Sequence, residues 1–173
     1  FGPTDDGRIK PDLVANGTDV FSLNADDPNG GYAFATGTSS ASASAAGAAA
    51  LVTELYERLF EDNMRASTLK ALLIQTALDI PPSGPDYKTG WGLMQADMAA
   101  QLLLDDFNEP NSTFIIENSL SEGQTDNYTF LYDPNFPVVA TLCWADPNAG
   151  PLGDSNDPNF TVLDNNTPML VND

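Results

Sequence analysis

Hydrophobic and polar positions change their rhythm twice along this chain. Residues 1–30 are rich in Gly, Pro, Asp and Asn and predict loops around one short strand. That strand is Leu13-Val14-Ala15, and just upstream Pro11 fixes its own φ and pushes Lys10 toward extended geometry. Residues 24–31 predict a loop or turn. Residues 39–59 then contain no proline and are dominated by alanine, the best helix former, so they predict a helix with Thr38 as its N-cap. Nearly every position from 45 to 52 is apolar, and a helix without a polar stripe is predicted to be buried. A second helix begins at Ser67 as N-cap and carries Leu69, Leu72, Leu73, Thr76 and Ala77 at helical spacing. Pro81-Pro82-Ser83-Gly84-Pro85 ends it. After Gly90-Trp91-Gly92, a third helix is predicted over about 93–104, with Leu93, Ala96, Ala100 and Leu103 on one face.

Near residue 105 the pattern changes again. Thr113-Phe114-Ile115-Ile116, residues 127–132 and residues 138–144 are short, β-branched or aromatic runs bounded by turn residues. Such spacing predicts an antiparallel sandwich or barrel. A domain boundary therefore falls at about 105–109, dividing the chain into 1–106 and 107–173. Residues 146–157 read as a polar loop, and no repeat at solenoid periods is present.

Composition narrows the function classes. With 173 residues and 42% apolar content, the chain can bury a core. Its 6 basic and 25 acidic residues give a formal charge of −19, which repels phosphate backbones and argues against nucleic-acid partners. No apolar stretch approaches the roughly 18 residues needed to span a bilayer, and no signal peptide is visible. The opening Phe1-Gly2-Pro3-Thr4 reads as the interior of a longer polypeptide. One cysteine, Cys143, sits in an apolar run and excludes an internal disulfide. The sequence contains 0 histidines, so these residues alone assemble no Ser-His-Asp triad.

Chemistry concentrates in Thr36-Gly37-Thr38-Ser39-Ser40-Ala41-Ser42, which leads into the alanine helix. A serine in the first helical turn has an unpaired amide, and the helix dipole adds partial positive charge there. A nucleophile so placed attacks a carbonyl while its own N–H holds the developing oxyanion. Gly37 leaves room for a substrate backbone. Taken by itself, the run fits such a nucleophile and a plain helix cap equally well.

The run from 36 to 51 resembles the active-serine signature of the subtilisin family, Asn-Gly-Thr-Ser-Met-Ala-(Ser/Thr)-Pro-His-Val-Ala-Gly. Ser39 falls on the nucleophile, and Gly37, Thr38, Ala41, Ser42, Ala46 and Gly47 match. Gly2-Pro3-Thr4 with Gly7-Arg8-Ile9-Lys10-Pro11-Asp12 is similar to the family segment upstream of the serine. Leu69-Lys70-Ala71-Leu72-Leu73 resembles the helix that follows, and Tyr87 with Gly90-Trp91-Gly92 resembles the turn before the last catalytic-domain helix. Leu142-Cys143-Trp144-Ala145-Asp146-Pro147 and Leu170-Val171-Asn172-Asp173 resemble elements of a β jelly-roll found after the protease in one branch of the family, and the chain stops inside the latter element. Departures are Thr36 for Asn, Ala43 and Ser44 for Pro and His, and Asn16 for Pro.

The resemblance implies an α/β fold: the carboxyl-terminal part of a subtilisin-like catalytic domain at 1–106, then a partial all-β jelly-roll or sandwich at 107–173. It implies a secreted serine endopeptidase acting on proteins or peptides, with Ser39 catalytic and Thr36, Gly37 and Thr38 binding substrate. The triad Asp and His and the oxyanion Asn would lie upstream, so the rest of the catalytic domain is the implied partner and this segment alone is expected to be inactive. The chemistry requires no cofactor. Family members often bind structural calcium, but Asp146, Asp154, Asp157, Asp164 and Asp173 lack a spacing as specific as an EF-hand loop, and no metal ligand is assigned. Asn-x-Ser/Thr triplets at Asn16, Asn111, Asn127, Asn159 and Asn165 read as incidental in so Asn-rich a chain. The competing reading is a non-catalytic binding or structural module derived from the same family, with Ser39 as a helix-start residue only.

Overall fold

Three helices and two antiparallel strand pairs make a mixed α/β arrangement among the described residues. The structure is a computed structural model that describes residues 1–4, 7–109, 114–119, 124–129, 135, 138–144 and, as backbone, 169–172. Strands β1 (Val20–Leu23) and β2 (Tyr32–Ala35) form a hairpin in which Val20 faces Ala35 and Leu23 faces Tyr32. Its loop is shaped by short polar side chains. Asn24 Oδ1 accepts from the Asp26 amide at 3.1 Å, Asp27 Oδ1 accepts from the Asn29 amide at 2.8 Å, and the Asn24 amide donates to Gly31 O at 2.8 Å. The loop expected at 24–31 is therefore present. The strands on either side were not expected, because Val20-Phe21-Ser22-Leu23 was read with its Gly- and Asp-rich surroundings.

Alanine propensity carries α1 (Thr38–Phe60) through 23 residues, and Arg58 and Glu54 pair at 2.5 Å one turn apart along it. Its N-cap is Gly37 rather than Thr38, and no side chain caps it. Helix α2 (Ala66–Gln75) likewise starts one position before its expected cap, with Arg65 in the capping place and Ser67 already inside. It ends at Gln75, well before the proline run, because Leu78 turns out to pair with Leu93 through bonds of 2.8 Å in both directions. The same Leu93 bridges Val14, so the predicted strand at 13–15 is reduced to a single bridge and α3 (Ala96–Asn108) begins after Leu93 instead of at it. Gly92 makes this junction sterically feasible: at φ 123° an added Cβ would lie 2.2 Å from Leu78 O. Helix α3 runs unbroken across positions 106 and 107.

The core is built by Val52 and Tyr56 of α1, Leu72 and Leu73 of α2, and Ala99 and Leu103 of α3. Tyr56 stacks obliquely on Phe60 at 4.7 Å, and Phe60 meets Phe107 edge-on at 5.7 Å. The burial expected for all of α1 holds only there. Among the described residues one side of its amino-terminal half is uncovered, where Ala43, Ala46, Ala50 and Leu51 are exposed.

Beyond α3, strands β3 (Val139–Leu142) and β4 (Met169–Asn172) pair antiparallel, with Val139 facing Asn172. Strand β3 lies on α2, where Thr141 Oγ1 donates to Gln75 Oε1 at 2.6 Å and Gln75 Nε2 donates to Val139 O at 3.3 Å. The strand expected at 113–116 is absent where described: Phe114 to Ile116 are irregular. Side chains anchor this stretch in place of a partner strand, since Ile115 packs on the core and its amide donates to Asp106 Oδ1 at 3.2 Å. Residues 127–129 are irregular as well; Thr113, 130–132 and the loop at 146–157 lie outside the described residues.

Candidate active site

Ser39 is the second residue of α1. The first intrahelical bond runs from the Ala41 amide to Gly37 O at 3.2 Å, which leaves the amides of Thr38, Ser39 and Ser40 ahead of the helical ladder. Among the described residues neither the amide nor the hydroxyl of Ser39 has a hydrogen-bond partner. Its side chain is exposed, and no acidic residue occupies the first turn to compete with a developing negative charge. A hydroxyl and an unpaired amide thus stand on one residue at the positive end of a 23-residue helix, an arrangement able to serve as nucleophile and oxyanion donor.

The neighbouring candidates divide into different roles. Gly37 has extended backbone, so its lack of a side chain answers no conformational demand; a Cβ there would stand 3.5 Å from Ser39 Oγ, filling the space beside that hydroxyl. Thr38 is exposed at the first helical position. Thr36 turns its hydroxyl to Asp19, accepting from the Asp19 amide at 3.0 Å and donating to Asp19 Oδ1 at 3.4 Å.

Two residues that sequence reasoning passed over also reach this site. Gly17 O accepts from the Gly37 amide at 2.8 Å, and Asp19 sits in the left-handed region at φ 50°. The only sequence signal for either was the turn composition of Asn16-Gly17-Thr18-Asp19.

The chain supplies no histidine to stand beside Ser39. No group of three or more His, Cys, Asp or Glu side chains able to hold a metal occurs among the described residues. The aspartates considered for calcium, at 146, 154, 157, 164 and 173, lie outside them. No helix among the described residues is long and apolar enough to cross a membrane.

The model of the subtilase family, peptidase S8, matches residues 1–92, which include both the Gly17–Asp19 turn and the whole start of α1. The chain belongs to the subtilase family. It is also similar to a Dictyostelium discoideum protein named serine protease/ABC transporter B family protein tagA, with 30% identity over 196 aligned residues. That alignment takes in 95% of this chain and 11% of the relative, so the chain spans about a tenth of that protein's length. The subtilase match ends ahead of α3 and places Ser39 within the matched part.

Proposed function

We propose that this chain supplies the nucleophile of a serine endopeptidase. Ser39 Oγ attacks a peptide carbonyl as its proton passes to a histidine from outside these residues, held in its tautomer by an aspartate from the same source. The tetrahedral oxyanion is held partly by the Ser39 amide. The C–N bond breaks as the histidine returns the proton to the leaving amine, leaving an acyl-enzyme that water hydrolyses. Gly37 and Thr38 border the path of the substrate backbone. The single observation that carries this reading is the unpaired amide and exposed hydroxyl of Ser39 at the start of α1, inside the subtilase match.

The substrates are proteins or peptides, the setting extracellular, and the chemistry needs no cofactor. The antiparallel β3–β4 pair and the strand-like pattern beyond residue 107 are consistent with an all-β domain of jelly-roll type after the catalytic domain. The exposed alanines of α1 form the surface on which the remainder of the catalytic domain would pack.

Fluorophosphonate labelling of the full-length polypeptide that contains this chain, beside its Ser39→Ala variant, tests the proposal. Labelling lost in the variant establishes an activated Ser39. Loss of the serine in subtilisin costs about six decades in kcat, and a comparable loss is expected here. A folded wild-type polypeptide that does not label would instead favour a second reading, a non-catalytic binding or structural module derived from the same family.

A further inference from the structure

The β1–β2 ladder does not stop at its last strand pair. Val20 faces Ala35, and one position further out the Asp19 amide and carboxylate both engage Thr36 Oγ1, at 3.0 and 3.4 Å. A side chain thereby replaces the next backbone rung. Asp19 adopts φ 50° to present its amide and carboxylate together, a conformation that Asp tolerates better than most residues. Beyond it, the Gly37 amide donates to Gly17 O at 2.8 Å, and Gly37 O accepts the first helical bond of α1 from Ala41. The hairpin is therefore tied, link by link, to the turn that carries Ser39.

Gly17 lies so close to this turn that no side chain fits. An added Cβ would stand 2.6 Å from Gly37 O, 2.8 Å from Ala41 Cβ and 3.1 Å from the Ala41 amide. These neighbours are backbone and a methyl group on a helix, and none can swing aside. An alanine at 17 would separate the loop from α1 by several tenths of an ångström, displacing the residues that flank Ser39.

We infer that Gly17 and Asp19 form a brace that positions Ser39, with Thr36 as its link to the hairpin. The inference rests on the endopeptidase reading and gives Thr36 a different task from substrate contact. Both ends of the Asp19–Thr36 link are exposed, so it adds little to global stability. Its effect is geometric. Misplacement of a reacting atom by about 1 Å costs on the order of 10²-fold in rate.

The test uses the full-length polypeptide in wild-type form and as Gly17→Ala, Asp19→Ala, Asp19→Asn and Thr36→Val. Fluorophosphonate labelling rate, kcat and KM for a peptide substrate, and Tm are measured for each. Gly17→Ala is expected to lower labelling and kcat by on the order of 10²-fold with KM nearly unchanged. Asp19→Ala and Thr36→Val are expected to lower both by about tenfold, and Asp19→Asn, which keeps an acceptor and tolerates positive φ, to restore most of the loss. Should Gly17→Ala fail to fold, the Asp19 pair and Thr36→Val decide. A wild type that does not label removes the endopeptidase reading and the brace with it. A wild type that labels, with variants within about twofold of it or lowered only in Tm, overturns the brace alone. A raised KM with kcat preserved in Thr36→Val would return Thr36 to substrate contact and also overturn the brace.

Discussion

Arg65 and Glu117 meet at 3.0 Å, joining the capping position of α2 to the irregular segment that follows α3. Glu117 also accepts from Thr68 Oγ1, and Arg65 Nη1 donates to Asn118 O at 3.1 Å. One carboxylate thus takes two donors from neighbouring turns of α2, so the segment is docked without pairing as a strand.

Unequal effects are expected from cutting this contact at its two ends. Arg65 is half exposed, and its loss should cost about 0.5 kcal/mol, as for other surface ion pairs. Glu117→Ala removes the ion pair and leaves Thr68 without its acceptor, for a cost of about 1–2 kcal/mol. Urea unfolding of both variants measures the difference. Equal costs would mean that the Thr68 bond contributes no more than the bond from Arg65 to Asn118 O.

The three-helix core should be far more sensitive than the exposed residues around it. Leu103 is fully buried between α1 and α2, so Leu103→Ala should cost about 2–5 kcal/mol. Met98 lies on the same helix but is 53% exposed, and Met98→Ala should stay within about 0.5 kcal/mol. Thermal unfolding of the pair tests whether the core seen here organises the chain.

What the sequence disclosed follows from where the physics is local. The alanine run from Thr38 to Phe60 makes a helix because propensity acts residue by residue, and for the same reason Ser39 could be placed at that helix's start. The caps expected at Thr38 and Ser67 lie one and two residues earlier, at Gly37 and Arg65, because neither hydroxyl caps its helix. The brace was invisible for a different reason. That Gly17 touches Gly37 and Asp19 touches Thr36 depends on hairpin register, which joins residues 20 and 17 apart in sequence. The 13–15 strand and the start of α3 were misjudged together, since Leu93 is claimed by both Val14 and Leu78 and no local pattern reports such a bridge.

The turn at 86–90 should weaken in acid. Asp86 accepts from the Thr89 amide at 3.0 Å, from the Lys88 amide at 2.6 Å and from Thr89 Oγ1 at 2.8 Å. These bonds, that from the Thr89 amide foremost, hold its carboxyl below the usual 3.8. A carboxyl lowered in the folded state stabilises fully above its unfolded value and loses that contribution as pH falls through the folded one. The Lys88 and Thr89 amide resonances should therefore shift as pH drops below about 3.8, and Asp86→Ala should abolish the shift. An unchanged titration in that variant would assign the transition elsewhere.

Cys143 offers a measure of how β3's end sits against α2. Burial pushes its thiol above the ordinary value, Lys70 lowers it in part, and Asp12 raises it. Lys70 lies 3.4 Å from Asp12, which also pairs with Lys10 at 2.6 Å, so the two opposing charges act from one cluster. The thiolate is the reactive form, so iodoacetamide at pH 8 should modify Cys143 more slowly than a small free thiol. Asp12→Asn should speed the reaction, because it removes the charge that disfavours the thiolate. Lys70→Gln should slow it, because the favouring charge is lost. The opposite signs separate charge from access: a general loosening of the segment would accelerate both variants. Two accelerations would show that the docking of Cys143 on α2 depends on the Asp12–Lys70 pair, and that its reactivity is governed by exposure instead of by these charges.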